Sequence, residues 1–210
     1  MGIRVLRNGM ALAASLAACG SGSKPVEVSG TVAGQTITPR EAISMAGNPA
    51  CSNWSGLNST ILTVVITDGA STCTAALHDD VSPNTKSLIL SVARFCYATG
   101  PSACNPSTMP IEPGHYTIGC ANVVPLIACA AARFGNTDAS CHQTVSVGDG
   151  LATAGSIDIT RLASTVDGAF ELDFSNGGKL TGSFSAPTCA GATLVLADLC
   201  AGNPAGCGPP

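Results

Sequence analysis

Eleven cysteines, three histidines and thirteen acidic residues carry most of the chemistry open to this 210-residue chain. His78-Asp79-Asp80 is the densest polar cluster, and an imidazole beside two carboxylates is a donor set for a divalent cation. The cluster lacks the alternating carboxylates and central glycine of a calcium loop, so His78, Asp79 and Asp80 read as solvated loop before they read as metal ligands. Glu171 and Asp173 alternate along a strand pattern, which sets both carboxylates on one side about 7 Å apart. Carboxylates at that separation can hydrolyse glycosides. The same alternation puts them on a solvent face, where acidic residues keep a surface soluble. His142 follows Cys141 directly, but a thiolate–imidazole pair needs a free thiol. Among His78, His115 and His142 there is no His-x-x-x-His spacing to turn two imidazoles toward one metal. Ser21-Gly22-Ser23-Lys24 matches Ser-x-x-Lys in letters, yet a Gly/Ser run holds no two side chains together. No Gly-x-Ser-x-Gly elbow occurs. These residues assign no catalytic group.

The cysteines are more informative. Cys19 stands apart, and Cys51, Cys73, Cys96, Cys104, Cys120, Cys129, Cys141, Cys189, Cys200 and Cys207 remain as an even set. Ten thiols suit five disulfides formed in an oxidising compartment. Their pairing is not readable, since ten cysteines allow about 945 arrangements. Five of them lie between Cys96 and Cys141, so full pairing sends at least one bridge out of that segment. Structural zinc wants thiolates two to four residues apart, whereas the closest pair here, Cys200 and Cys207, has six residues between. With no Cys-x-x-Cys-His string either, no metal and no cofactor is expected.

The start of the chain reads as an address. Arg4 and Arg7 form a short basic region, Met10 to Leu16 a small apolar one, and Leu16-Ala17-Ala18-Cys19 follows. A basic start, a short apolar run and small residues at a cut site are the parts of a secretory leader. Leu-Ala-Ala-Cys resembles the lipobox of bacterial lipoproteins at all four positions. That resemblance implies cleavage before Cys19, lipidation of its thiol and acylation of the freed amine. Several acyl chains together hold a protein to a bilayer stably. Gly20-Ser21-Gly22-Ser23 has the composition of a flexible tether. Gly20 is not aspartate, so by resemblance to Gram-negative sorting the address is the outer membrane; the alternative is a secreted, soluble product. Gly30-Thr31-Val32-Ala33-Gly34 and Leu180 to Cys189 are similar to stretches of uncharacterised cysteine-rich lipoproteins of high-GC Gram-negative bacteria, myxobacteria in particular. That likeness implies no activity.

The expected organisation is therefore a signal peptide over 1–18, a tether over 19–25 and a single disulfide-stapled β domain over 26–210. The formal charge of −4 has no basic footprint, which excludes nucleic acid as a partner. Only 10% of residues are charged while Gly, Pro, Ser and Thr abound, a composition of strands and turns.

Which elements would position these residues? Alternation is strongest over 155–186. Ile157 and Ile159, then Phe170, Leu172 and Phe174, then Leu180, Phe184 and Ala186 each skip a polar or small neighbour. Asp167-Gly168 and Asn176-Gly177-Gly178 are the expected hairpin joints of a three-strand meander. Further strands are expected at Val26–Val32, Ile61–Thr67, Ser87–Ala93, His115–Ile118 and Gln143–Val147. Ile61 to Ile66 is apolar enough to be covered on both faces. Thr38-Pro39-Arg40-Glu41 offers an N-cap, a first-turn proline and an acid at N3, predicting a short helix to Gly47. Residues 97–141, broken by prolines and rich in cysteine, are expected to be irregular. The fold class that follows is mainly β, an antiparallel β-sandwich or open barrel with one short helix and a disulfide-rich irregular segment.

Functionally, the sequence points to a cell-envelope lipoprotein with a structural or binding role. Its partners would be the membrane, through the N-terminal lipid, and an envelope protein or glycan. The alternatives are an envelope hydrolase or a divalent-metal-binding protein with a loop site around His78, Asp79 and Asp80. A rigid inhibitor module presenting the Cys96–Cys104 loop is a third.

Overall fold

The computed structural model of the chain describes residues 26–47, 57–77, 82–97, 109–123 and 126–192. Cys19 and its tether, the His78-Asp79-Asp80 cluster, Cys51, Cys104, Cys200 and Cys207 lie outside the described residues, as does the apolar run Leu194 to Leu199.

Among the described residues, ten strands make two antiparallel sheets. They are β1 (Glu27–Thr31), β2 (Glu41–Gly47), β3 (Leu57–Thr67), β4 (Lys86–Tyr97), β5 (Gly114–Thr117), β6 (Gly119–Val123), β7 (Leu126–Asn136), β8 (Ala152–Leu162), β9 (Thr165–Phe174) and β10 (Lys179–Pro187). The first sheet runs β1-β10-β9-β8-β5 and the second β2-β3-β4-β7-β6. One core lies between them. Ile157, Phe170, Leu172, Leu180 and Phe184 come from the first sheet, and Leu62, Val64, Ile66, Leu90 and Phe134 from the second. The sheets stay open, but they touch at two corners. Ser44 bridges Thr188 at one and Ile118 bridges Ala130 at the other.

The meander is as its alternation dictates, with the side chains of β9 buried at every second position. Its joints are only half as expected. Asn176-Gly177-Gly178 does turn the chain, with Gly177 at φ +79° and its N–H donating to Phe174 O. Asp167-Gly168 does not, because it lies inside β9; the turn from β8 comes earlier, at Ala163 and Ser164. Gly168 is kept small for a tertiary reason. It pairs with Phe184 on β10, while Gly182 pairs with Phe170 on β9. Each ring lies over the glycine opposite, 2.5 Å (Phe184 Cζ) and 2.7 Å (Phe170 Cζ) from where a Cβ would stand. Two reciprocal phenylalanine–glycine pairs thus fill one region of core.

β3 is covered on both faces, as its apolar run implies. Leu62, Val64 and Ile66 enter the central core. On the other side Val65 joins Ile43, Met45, Cys189 and Ala192, and Ile61 joins Ala93 and Phe95.

Three further expectations fail. The capping pattern at Thr38 opens no helix; residues 41–47 are β2, paired with β3 from Glu41↔Thr67 to Gly47↔Ile61. Pairing with β3 and burial of Ala42, Ile43, Ser44 and Met45 outweigh a local helix signal only two turns long. Gln143–Val147 is not a strand: Ser146 caps α2 (Val147–Gly150), its Oγ accepting from Asp149 N. Finally, the described part of 97–141 is largely regular, because β5, β6 and β7 run through it. β7 pairs with β4 from Lys86↔Asn136 to Phe95↔Ile127. Helix α1 (Thr72–Leu77) was not expected.

One corner bears directly on the cysteines. The chain passes from β5 in the first sheet to β6 in the second across Ile118 and Gly119, the latter at φ +106°. Just before it, Tyr116 donates its phenolic proton to Glu112 O at 2.6 Å, tying the strand to the backbone four residues back. That is the geometry of a tyrosine corner.

Candidate functional site

The outer face of the first sheet gathers a cluster of titratable side chains, among them His115, Asp158, Arg161, Asp167, Glu171, Asp173 and Lys179. Register determines which of them meet. His115 on β5 stands opposite Asp158 on β8, and its Nδ1 lies 2.7 Å from Asp158 Oδ1. Both side chains are exposed, at 62% and 44%. Beside this pair, Thr117 opposes Ser156, which opposes Glu171, which opposes Thr181, which opposes Ser29. The face is thus crossed by a row of hydroxyls with one carboxylate in it.

Glu171 and Asp173 share that face but do not form a working carboxylate pair. Asp173 pairs across to Lys179 and takes its ammonium at 2.6 Å. The hydrogen bond from Lys179 to Asp173, helped by their charges, raises the lysine pKa above its usual 10.5. Arg161 reaches Asp167 Oδ2 at 2.8 Å on the same sheet. Asp173 and Asp167 are thus held in cross-strand ion pairs, a pattern that sets register and solubility. Chemically, His115–Asp158 is an oriented imidazole, and acyl transfer would need a nucleophile aligned with its other nitrogen.

His142 sits in a different setting. Asp138 Oδ1 accepts from Ser140 N at 2.8 Å and from His142 N at 2.9 Å, and the His142 ring approaches Asp138 Oδ2 at 3.7 Å. Those backbone hydrogen bonds, His142 first, hold the Asp138 carboxyl below its ordinary 3.8. Cys141 between them takes a left-handed φ of +60° and is disulfide-bonded, so it is no free thiolate beside His142. Among the described residues, no group of three or more His, Cys, Asp or Glu converges to hold a metal ion.

Six candidate disulfide cysteines are described. Cys73 bonds Cys189, linking α1 to the chain just past β10 across 116 residues. Cys120 bonds Cys129 from β6 to β7, where the two are direct partners in the ladder. Cys96 and Cys141 are disulfide-bonded as well.

Several partnerships escape a reading of the sequence. Arg94 donates to Pro110 O at 2.8 Å and pairs with Glu112 at 3.1 Å, bracing the segment before β5. Glu41 Oε2 accepts from both Thr72 N and Thr72 Oγ1, at 2.8 and 2.7 Å, and so caps the start of α1. The acid of the Thr38 capping pattern does cap a helix, but one thirty-one residues away. Only strand register and loop position bring these residues together.

The chain matches no protein-family model, no curated protein and no solved structure.

Proposed function

We propose that this chain is a cell-envelope lipoprotein, anchored through Cys19, whose two-sheet domain has a structural or binding role at the envelope. The observation that carries the reading is the Cys73–Cys189 bridge, which staples α1 to the end of the first sheet. Bridges of this kind persist in exported proteins, where thiols are not kept reduced. The leader-like start and the resemblance of Leu16-Ala17-Ala18-Cys19 to a lipobox then supply the route and the anchor. The membrane is one partner, through lipid on Cys19. The other is an envelope protein or glycan, met by the hydroxyl- and carboxylate-bearing outer face of the first sheet. Export to the outer membrane, a signal peptide over 1–18 and a tether over 19–25 belong to the same proposal.

The test is an intact mass of protein extracted from membranes, with and without reduction. An acylated chain beginning at Cys19, lighter by roughly ten hydrogens than its reduced form, supports the reading. A lipid-free chain recovered only from the soluble fraction, or one with free thiols, overturns it. An enzymatic reading has one observation in its favour, the His115–Asp158 pair. It requires that His115→Ala abolish a hydrolytic activity while leaving the melting temperature unchanged.

A further inference from the structure

The two described bridges differ in how a reagent can reach them. Cys189 is 5% exposed, packed with Ile43, Met45 and Ala192, and its sulfur lies 3.5 Å from Cys73 O. Cys120 is exposed, on a five-residue strand at the edge of the second sheet. Its partner Cys129 is half-buried against Ile61, Ala93 and Phe95. Cys120 is therefore the exposed half of this bridge, and Cys129 is the half packed on an apolar cluster. Thiol–disulfide exchange is governed by access to the attacked sulfur, so this asymmetry assigns an attacked atom and a leaving atom.

We propose that Cys120 is a thiol–disulfide exchange site, with a small thiol or the dithiol of a redox protein as co-reactant. An incoming thiolate attacks Cys120 Sγ, and the electron pair of the broken bond goes to Cys129 Sγ, which takes up a proton. A second thiolate then attacks the incoming sulfur of the mixed disulfide and releases Cys120 as its thiol. The balance is two protein thiols gained and one co-reactant disulfide formed.

The position of the bridge says what exchange would change. β6 pairs only with β7 in its sheet and continues from β5 through the corner at Gly119. The bridge is the covalent clasp on that strand, while the central core does not depend on it. Reduction frees the edge Gly119–Val123 and leaves the meander β8-β9-β10 in place.

The experiment uses the oxidised full chain under native conditions. Samples taken through a dithiothreitol time course are alkylated and mapped by peptide mass. Cys120 and Cys129 should become labelled on the order of tenfold faster than Cys73 and Cys189. Equal rates, or the reverse order, overturn the proposal. In chain reduced to that first stage, hydrogen exchange should accelerate at 119–123 and stay unchanged in β9; unchanged exchange at 119–123 overturns the clasp. A Cys129→Ser variant offered oxidised glutathione should take up one glutathione on Cys120, and failure to do so also counts against it.

Discussion

Substituting Gly168 with alanine tests the phenylalanine–glycine pairing of β9 and β10. The added Cβ would stand 2.5 Å from Phe184 Cζ and 3.1 Å from its Cε1, and would run into the Asp158 carbonyl oxygen on β8. Ordinary carbon contacts are about 3.5–4.0 Å, so the ring must retreat by about 1 Å. Overpacking of this kind costs about 1–3 kcal/mol. The upper half of that range applies, because the Asp158 carbonyl is backbone and cannot rotate aside. For a domain of this size each kcal/mol moves the melting temperature by roughly 2–4 °C, giving a fall of about 5–10 °C. The assay is thermal melting by circular dichroism under non-reducing conditions. Gly148→Ala is the control, since nothing lies within 4 Å of its Cβ position. It should be neutral or stabilise by up to about 1 kcal/mol. In a double variant, Phe184→Leu should relieve part of the Gly168→Ala penalty, because the two sites share one space. If Gly168→Ala melts with the wild type, or the double variant is simply additive, the account of the pair is wrong.

Two further outcomes follow from side chains that cap or brace. Glu41→Ala removes the acceptor of Thr72 N and Thr72 Oγ1, and should cost about 0.5–2 kcal/mol. Hydrogen exchange should localise the loss to Thr72–Leu77. The Asp138 carboxyl is held below its ordinary value by backbone donors, so its stabilisation is present above the unfolded pKa of 3.8 and is lost as pH falls through the folded value. Asp138→Asn should therefore flatten the fall in melting temperature below about pH 4, where the wild type declines more steeply.

The meander and the doubly covered β3 were legible because alternation and continuous apolar runs report burial directly. β7 was not: Cys129-Ala130-Ala131-Ala132 carries little strand preference, and those alanines suit a strand because Leu90 and Val92 stand opposite and fill the space. At Thr38 and at Asp167-Gly168 the local signals were real but answered to distant partners, Thr72 for Glu41 and Phe184 for Gly168. The ionic residues of the outer face were visible singly, since strand alternation sends them outward. Which acid meets which base depends on cross-strand register, and so the His115–Asp158 contact was out of reach. Cysteine parity indicated stapling without naming a pair, because partners such as Cys73 and Cys189 are chosen by the finished fold.

The strand order of the first sheet also imposes a timetable. Its two edges, β1 and β5, are synthesised before the three strands that lie between them. As the chain emerges, the second sheet has all its described strands by Asn136, with the apolar face that meets the first sheet still bare. β1 has no partner until β10 arrives, and Cys189, the late half of the longest described bridge, follows only then. Non-local closure of this kind is slow, so the nascent protein spends its most aggregation-prone interval holding a half-built sandwich. The last of the described strands, β10, is the one that ends it.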